Sequence, residues 1–161
     1  MKIISKPVRI SDRQRGFTLL EVLIAVMLLA VGLLGLAGLQ AVSLRNNHSA
    51  YLRSQATMLT YDIIDGMRSN RSAAQAANYD IAIGTAASAS PPDCMANVCT
   101  GSEMATADIA DWKQSLASLM PSGDGAVARA GNVVTVTVQW IDERDADATK
   151  WTKQFAMSTE L

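Results

Sequence analysis

The stretch Arg15-Gly16-Phe17-Thr18-Leu19-Leu20-Glu21-Val22 holds residues whose types and spacing suit chemistry at a membrane. Gly16 ends a basic segment and stands just before an apolar run. A small, accessible residue in that place suits cleavage by a membrane-embedded peptidase. Cutting after Gly16 frees an amine on Phe17, at the depth of Glu21. Glu21 is the lone ionisable group of the apolar run. A carboxylate at mid-bilayer costs about 2.5–3.5 kcal/mol on insertion scales, and less near the end of a span. One account of Glu21 is local: Thr18-x-x-Glu21 matches a capping box, and an acid in the first turn suits the helix dipole. The other is intermolecular: in a bundle of such helices, a neighbour's Phe17 amine pairs with Glu21 and sets the register between subunits. The cap leaves the glycine between a basic leader and an aromatic helix start unexplained, so the pairing account is preferred.

Other chemistry-bearing residues point elsewhere. Cys94 and Cys99 have four residues between them. On an exported domain that spacing reads as one disulfide closing a tight loop. A metal site would need two more good ligands, and the single histidine, His48, lies far upstream; no metal site is expected. His48 reads as a solvated helix residue. Asp142, Glu143, Asp145 and Asp147 cluster in a hairpin loop without the glycine and terminal glutamate of a calcium loop. They read as a solvated turn. Trp112, Trp140 and Trp151 read as core. There is no G-x-S-x-G, no H-E-x-x-H and no phosphate-binding glycine loop. No enzymatic activity, cofactor or small-molecule substrate is expected.

The elements that must position these residues follow from periodicity. Residues 22–39 are 18 consecutive positions without a charged, amide or hydroxyl side chain, long enough to span a membrane. Gly32, Gly35 and Gly38 recur at every third position. Each costs about 1 kcal/mol relative to Ala in a helix. They are either tolerated in a membrane helix or a built-in flexible segment inside an assembled bundle, where small residues allow close approach. The pattern then turns amphipathic: Leu52, Ala56, Leu59, Ile63 and Met67 share one helical face. No proline occurs between Pro7 and Pro91. One continuous helix is predicted over about 17–71, roughly 80 Å long at about 1.5 Å per residue.

Residues 72–101 read as irregular, with a short strand near 79–83. A second helix is predicted over 103–120, with Ile109, Trp112, Leu116 and Leu119 on one face and Thr100 and Glu103 as a capping box. Pro121, Gly123 and Gly125 end it. A strand over about 126–130, the turn Gly131-Asn132, and the alternation of Val134, Val136, Val138 and Trp140 predict a hairpin. A third strand, about 150–158, puts Trp151, Phe155 and Met157 on one face. The expected fold is α+β, with the amphipathic half of the long helix covering a small antiparallel meander. The expected division is a leader over 1–16, the helix over 17–71 and a globular head over 72–161.

Charge orients the chain. The 161 residues carry 14 Lys and Arg against 15 Asp and Glu, which excludes a generally basic nucleic-acid binder. Five of the basic residues and one acid lie in residues 1–16, leaving nine basic and fourteen acidic residues beyond them. The basic end marks the cytoplasmic side and the acidic remainder is expected across the membrane.

At Gly16-Phe17-Thr18-Leu19-Leu20-Glu21-Val22 the sequence resembles the type IV prepilins, a superfamily that includes the pseudopilins of type II secretion. The resemblance implies cleavage after Gly16 and N-methylation of Phe17 by the prepilin peptidase. It assigns Glu21 to subunit assembly. It implies the lollipop fold, a long N-terminal helix whose second half packs on an antiparallel sheet. Val31-Gly32-Leu33-Leu34-Gly35-Leu36-Ala37-Gly38-Leu39-Gln40 and Asp62-Ile63-Ile64-Asp65-Gly66-Met67-Arg68-Ser69-Asn70-Arg71 resemble the PilV-type minor pilins. So do Asp111-Trp112-Lys113, Leu116, Leu119-Met120-Pro121 and residues 134–140. Gly38 stands where many major pilins carry a proline. The resemblance implies a low-abundance subunit that helps initiate pilus assembly with other minor pilins, the major pilin and a large tip adhesin. Adhesion and twitching motility would depend on it. The implied course is single-pass insertion in the inner membrane with a periplasmic head, followed by entry into the pilus.

Three other readings have distinct signatures. A type II secretion pseudopilin would share every feature above and differ in its partner set. A membrane-anchored periplasmic binding module or enzyme would use residues 72–161, where no convergent polar set is seen. An ordinary secreted protein would be cut at Gly35-Leu36-Ala37, which loosely fits a signal-peptidase site.

Overall fold

The computed structural model of the chain describes residues 16–142 and 152–161. Three helices and three strands follow in the order α1 (Leu19–Ser69), α2 (Arg71–Gln75), α3 (Gly101–Leu119), β1 (Asp124–Ala130), β2 (Val133–Ile141) and β3 (Thr152–Glu160). The chain divides after Ser43 into two compact units. The fold is the α+β type expected, a long N-terminal helix with a small antiparallel sheet.

In the first unit, α1 starts at Leu19, two residues later than the expected Phe17, and passes unbroken through Gly32, Gly35 and Gly38. Every residue from Gly16 to Asn47 is exposed. With no water-excluding partner among the described residues, this apolar half needs lipid or other subunits as its solvent.

In the second unit the amphipathic stripe becomes core. Leu52, Ala56, Leu59, Ile63 and Met67 are all buried, joined by Thr60 and Ile64. They share one cluster with Trp112 and Leu116 of α3 and with Val134, Val136, Val138 and Trp140 of β2. The sheet is the meander β1-β2-β3, antiparallel throughout. Ala130 pairs with Val133, so Gly131-Asn132 is a two-residue turn, and Gly131 takes φ 65° at its first position, where glycine has no steric cost. Phe155 and Met157 of β3 are half-buried against the core, while Trp151 lies outside the described residues.

The cover of the sheet departs from the expectation. α1 shares that task with α3, whose Trp112 and Leu116 pack over β1. A Cβ on Gly125 would stand 2.4 Å from Trp112 Cη2 and 2.9 Å from Leu116 Cδ1. The glycine is therefore there for close approach of helix to strand. Trp112 Nε1 also donates to the Leu59 carbonyl at 2.9 Å, tying α3 to α1 through a buried bond.

Smaller details also differ. Leu119 is half exposed, and Met120 is buried in its place. The chain turns extended at Met120 (φ −129°, ψ 138°), so the helical spacing no longer sets which side chain points inward. The strand expected near 79–83 is a single bridge, Ile81 to Val127, against the edge of β1. Asp142 is buried, not solvated, and accepts a hydrogen bond from the Ser49 hydroxyl at 2.5 Å. Glu143, Asp145 and Asp147 lie outside the described residues.

Candidate functional site

At the start of α1 the Thr18 hydroxyl accepts the Glu21 amide at 3.3 Å, and the Thr18 carbonyl accepts the amides of Glu21 and Val22. Half of the expected capping box is thus present. The returning half, from the Glu21 carboxylate to the Thr18 amide, is absent among the described hydrogen bonds. The carboxylate has no partner among the described residues. Phe17 and Glu21 are four residues apart and line one shallow groove with Val22, Ala25, Val26 and Leu29. Phe17 is 84% exposed. The next ionisable residue along the chain is Arg45. Glu21 is therefore the single acidic side chain on an otherwise apolar surface, with Phe17 beside it.

The glycines lie on the same helix. A Cβ on Gly32, Gly35 or Gly38 would meet nothing within 4 Å. No contact among the described residues requires them to be small. The apolar half of α1 reaches a mean hydropathy of 2.8 over 18 residues, enough to cross a bilayer by length and composition. In the second unit Cys94 and Cys99 form the expected disulfide, with Cα atoms 5.4 Å apart. Among the described residues, no three His, Cys, Asp or Glu side chains gather as a metal site. The ring of His48 stands edge-on to Tyr51, and its buried Nδ1 has no hydrogen-bond partner among the described residues, so it is less solvated than expected.

Two family patterns match adjoining stretches of the chain, together residues 11–110. Residues 11–37 match the prokaryotic N-terminal methylation motif. Residues 38–110 match the family described as type IV pilin Tt1218. The chain belongs to the type IV prepilin superfamily. No curated protein and no solved structure matches it significantly. A type IV prepilin is a membrane-anchored, pilus-associated structural subunit, processed by the prepilin peptidase and assembled with other pilins.

The rest of this pilin holds the head together, through polar contacts that periodicity does not display. Lys113, nearly buried on α3, pairs with Asp124 at the start of β1 and reaches the Ala82 carbonyl at 3.4 Å. Asp124 also accepts the amides of Gly84 and Gly125 at 2.6 and 2.8 Å. Partial burial pushes the Asp124 carboxyl up, but the Lys113 ammonium and the two amides outweigh it and hold the carboxyl below its ordinary value. A second network uses Gly66 and Asn70 of the run 62–71. Tyr79 donates to Asp108 at 2.5 Å, and the Asn70 amide bridges the Tyr79 hydroxyl at 3.2 Å and the Gly101 carbonyl at 2.6 Å. Burial, with the Asp108 hydrogen bond, raises the Tyr79 hydroxyl well above its ordinary range, so it stays a neutral donor. Gly66 leaves room for Asp108, whose Oδ2 would lie 3.3 Å from an added Cβ. The capping box at α3 is complete: Thr100 Oγ1 accepts the Glu103 amide, and Glu103 accepts the Thr100 amide at 2.8 Å.

Proposed function

We propose that this pilin is a PilV-type minor subunit that helps initiate type IV pilus assembly and has no enzymatic activity. The observation that carries the reading is the Glu21 carboxylate, without a partner among the described residues, beside Phe17 on the exposed apolar half of α1. In this account the basic leader, residues 1–16, stays cytoplasmic while the acidic head lies in the periplasm. The prepilin peptidase cuts after Gly16 and methylates the Phe17 amine. Glu21 then pairs with the Phe17 amine of a neighbouring subunit, which neutralises both charges inside the bundle. Gly32, Gly35 and Gly38, where an added Cβ meets nothing among the described residues, give the helix close neighbours or local flexibility on assembly. Other minor pilins, the major pilin and a tip adhesin are the partners, and adhesion and twitching motility follow from the pilus it primes. The test is the composition of sheared pili by mass spectrometry. The reading requires this chain in the pilus fraction, at low abundance, with minor pilins and an adhesin. Co-purification with type II secretion components instead would assign it as a pseudopilin.

A further inference from the structure

The loop closed by Cys94 and Cys99 turns two apolar side chains into solvent: Met95 is 101% exposed and Val98 103%. Single exposed apolar residues are ordinary. Here two stand three residues apart on a loop whose shape is fixed several times over. The disulfide closes it. The Asp93 carboxylate accepts the amides of Met95 and Ala96 at 3.1 Å each, and the Asp93 carbonyl accepts the backbone amide and the side-chain amide of Asn97 at 3.1 and 3.2 Å. Immediately after Cys99, Thr100 caps α3. A loop this constrained loses little conformational freedom when it is bound.

The flanking chain states the chemistry of the partner. Residues 72–112 contain five acids, Asp80, Asp93, Glu103, Asp108 and Asp111, and no Lys or Arg. Of the bordering cations, Lys113 is paired with Asp124, and Arg71 points its guanidinium to the Leu161 carbonyl just past the end of β3. An anionic lipid surface would be repelled by such a segment. A protein pocket with a basic rim would be attracted. We propose that the 94–99 loop is a docking knob that seats Met95 and Val98 in an apolar pocket, rimmed by Lys or Arg, on a different protein subunit. The proposal rests on the assembly reading above for its biological setting, and on the loop alone for its chemistry.

The test uses the full chain in cells that make the pilus, with a photoreactive benzophenone side chain in place of Val98. The expected product is an adduct with one other protein, whose cross-linked peptide carries apolar residues flanked by Lys or Arg. Met95→Ser on that background should lower the adduct yield at least about tenfold, the loss typical of a truncated anchor residue. Asp93→Asn keeps an oxygen acceptor for the loop amides but removes the charge, and should lower the yield as well. Adducts with lipid, with a second copy of this chain or with a peptide lacking basic residues overturn the proposal, as does a yield indifferent to Met95→Ser. Since Met95 is fully exposed, its truncation leaves the fold intact, which the thermal unfolding midpoint verifies. The adduct is read in whole cells and the pilin role in sheared pili, so either can fail without the other.

Discussion

Glu21 is conspicuous at the level of single residues because it is the one ionisable side chain between Phe17 and Arg45. Lys113 and Asp124, or Tyr79 and Asp108, carry no such mark. They lie 11 and 29 residues apart, and only the packing of α3 against β1 and against the turn after α2 joins them. The two kinds of residue support different predictions. If Glu21 merely caps α1, Glu21→Gln is mild, because glutamine also serves a capping box. If it pairs with a neighbour's Phe17 amine, glutamine leaves an ammonium without its counter-charge in an apolar bundle. Removing one member of a buried pair costs about 3–5 kcal/mol, less where water reaches it. Glu21→Gln is expected to be cleaved after Gly16 and to accumulate in membranes but to enter sheared pili poorly, as read by immunoblot of both fractions. Near-normal incorporation would leave the cap as the better account. Lys113→Met instead acts on stability. It removes the Asp124 counter-charge and leaves the carboxylate only the Gly84 and Gly125 amides, at a cost of about 1–3 kcal/mol, read from the urea midpoint by tryptophan fluorescence. The pH dependence has a definite sign. Asp124 titrates lower in the folded chain than in the unfolded one. Its contribution is therefore present above the unfolded Asp value of about 3.9 and is lost as pH falls through the lower folded value. Asp124→Asn should remove that part of the acid-side slope.

Elements were legible where a one-dimensional pattern has a single physical solution. The buried stripe of α1 and the alternation along β2 were of this kind: each repeats with its own period, and each has one face to hide. The cap at Thr100 was equally plain, since its partners are three residues apart. The position of α3 was not. Nothing in the spacing of Ile109, Trp112 and Leu116 says which strand they cover. Gly125 held a signal that could have been used: glycine inside a strand marks close approach of another element. From its place after Pro121 and Gly123 alone, it reads as a helix stop. Gly125→Ala puts a methyl group into the Trp112 ring and the Leu116 side chain. Overpacking of this kind costs typically 1–3 kcal/mol, about 2 kcal/mol here if the ring can shift. Alanine is otherwise the better strand residue, so a variant as stable as the native chain in urea would mean that α3 does not press on β1 as described.

For the whole molecule, the decisive quantity is where the mature chain begins. A signal-peptidase cut near Gly35-Leu36-Ala37 would release residues 38–161 and discard Glu21, the glycines at 32 and 35, and the span itself. α1 argues against that division, because it runs through those positions as one helix to Ser69, and its distal half supplies core residues from Leu52 to Met67. Anchor and head are built on one element, so keeping the anchor costs the fold nothing. The charge balance agrees. Cutting after Gly16 removes five basic residues and one acid and leaves a chain with nine basic and fourteen acidic residues. That chain has no cation between Phe17 and Arg45 other than its new terminal amine. That amine is then the lone positive charge available at the depth of Glu21, and each subunit carries one donor and one acceptor for the same contact. A polymer can repeat such a pair indefinitely. The expected outcome is an intact mass, measured on the membrane-extracted chain, equal to residues 17–161 plus one methyl group, with Cys94 and Cys99 oxidised. A mature chain starting near Gly38 would sink the pilin account of the N-terminus. Retention of residues 1–16 in a host known to process its other prepilins would show that Gly16 is not the scissile residue.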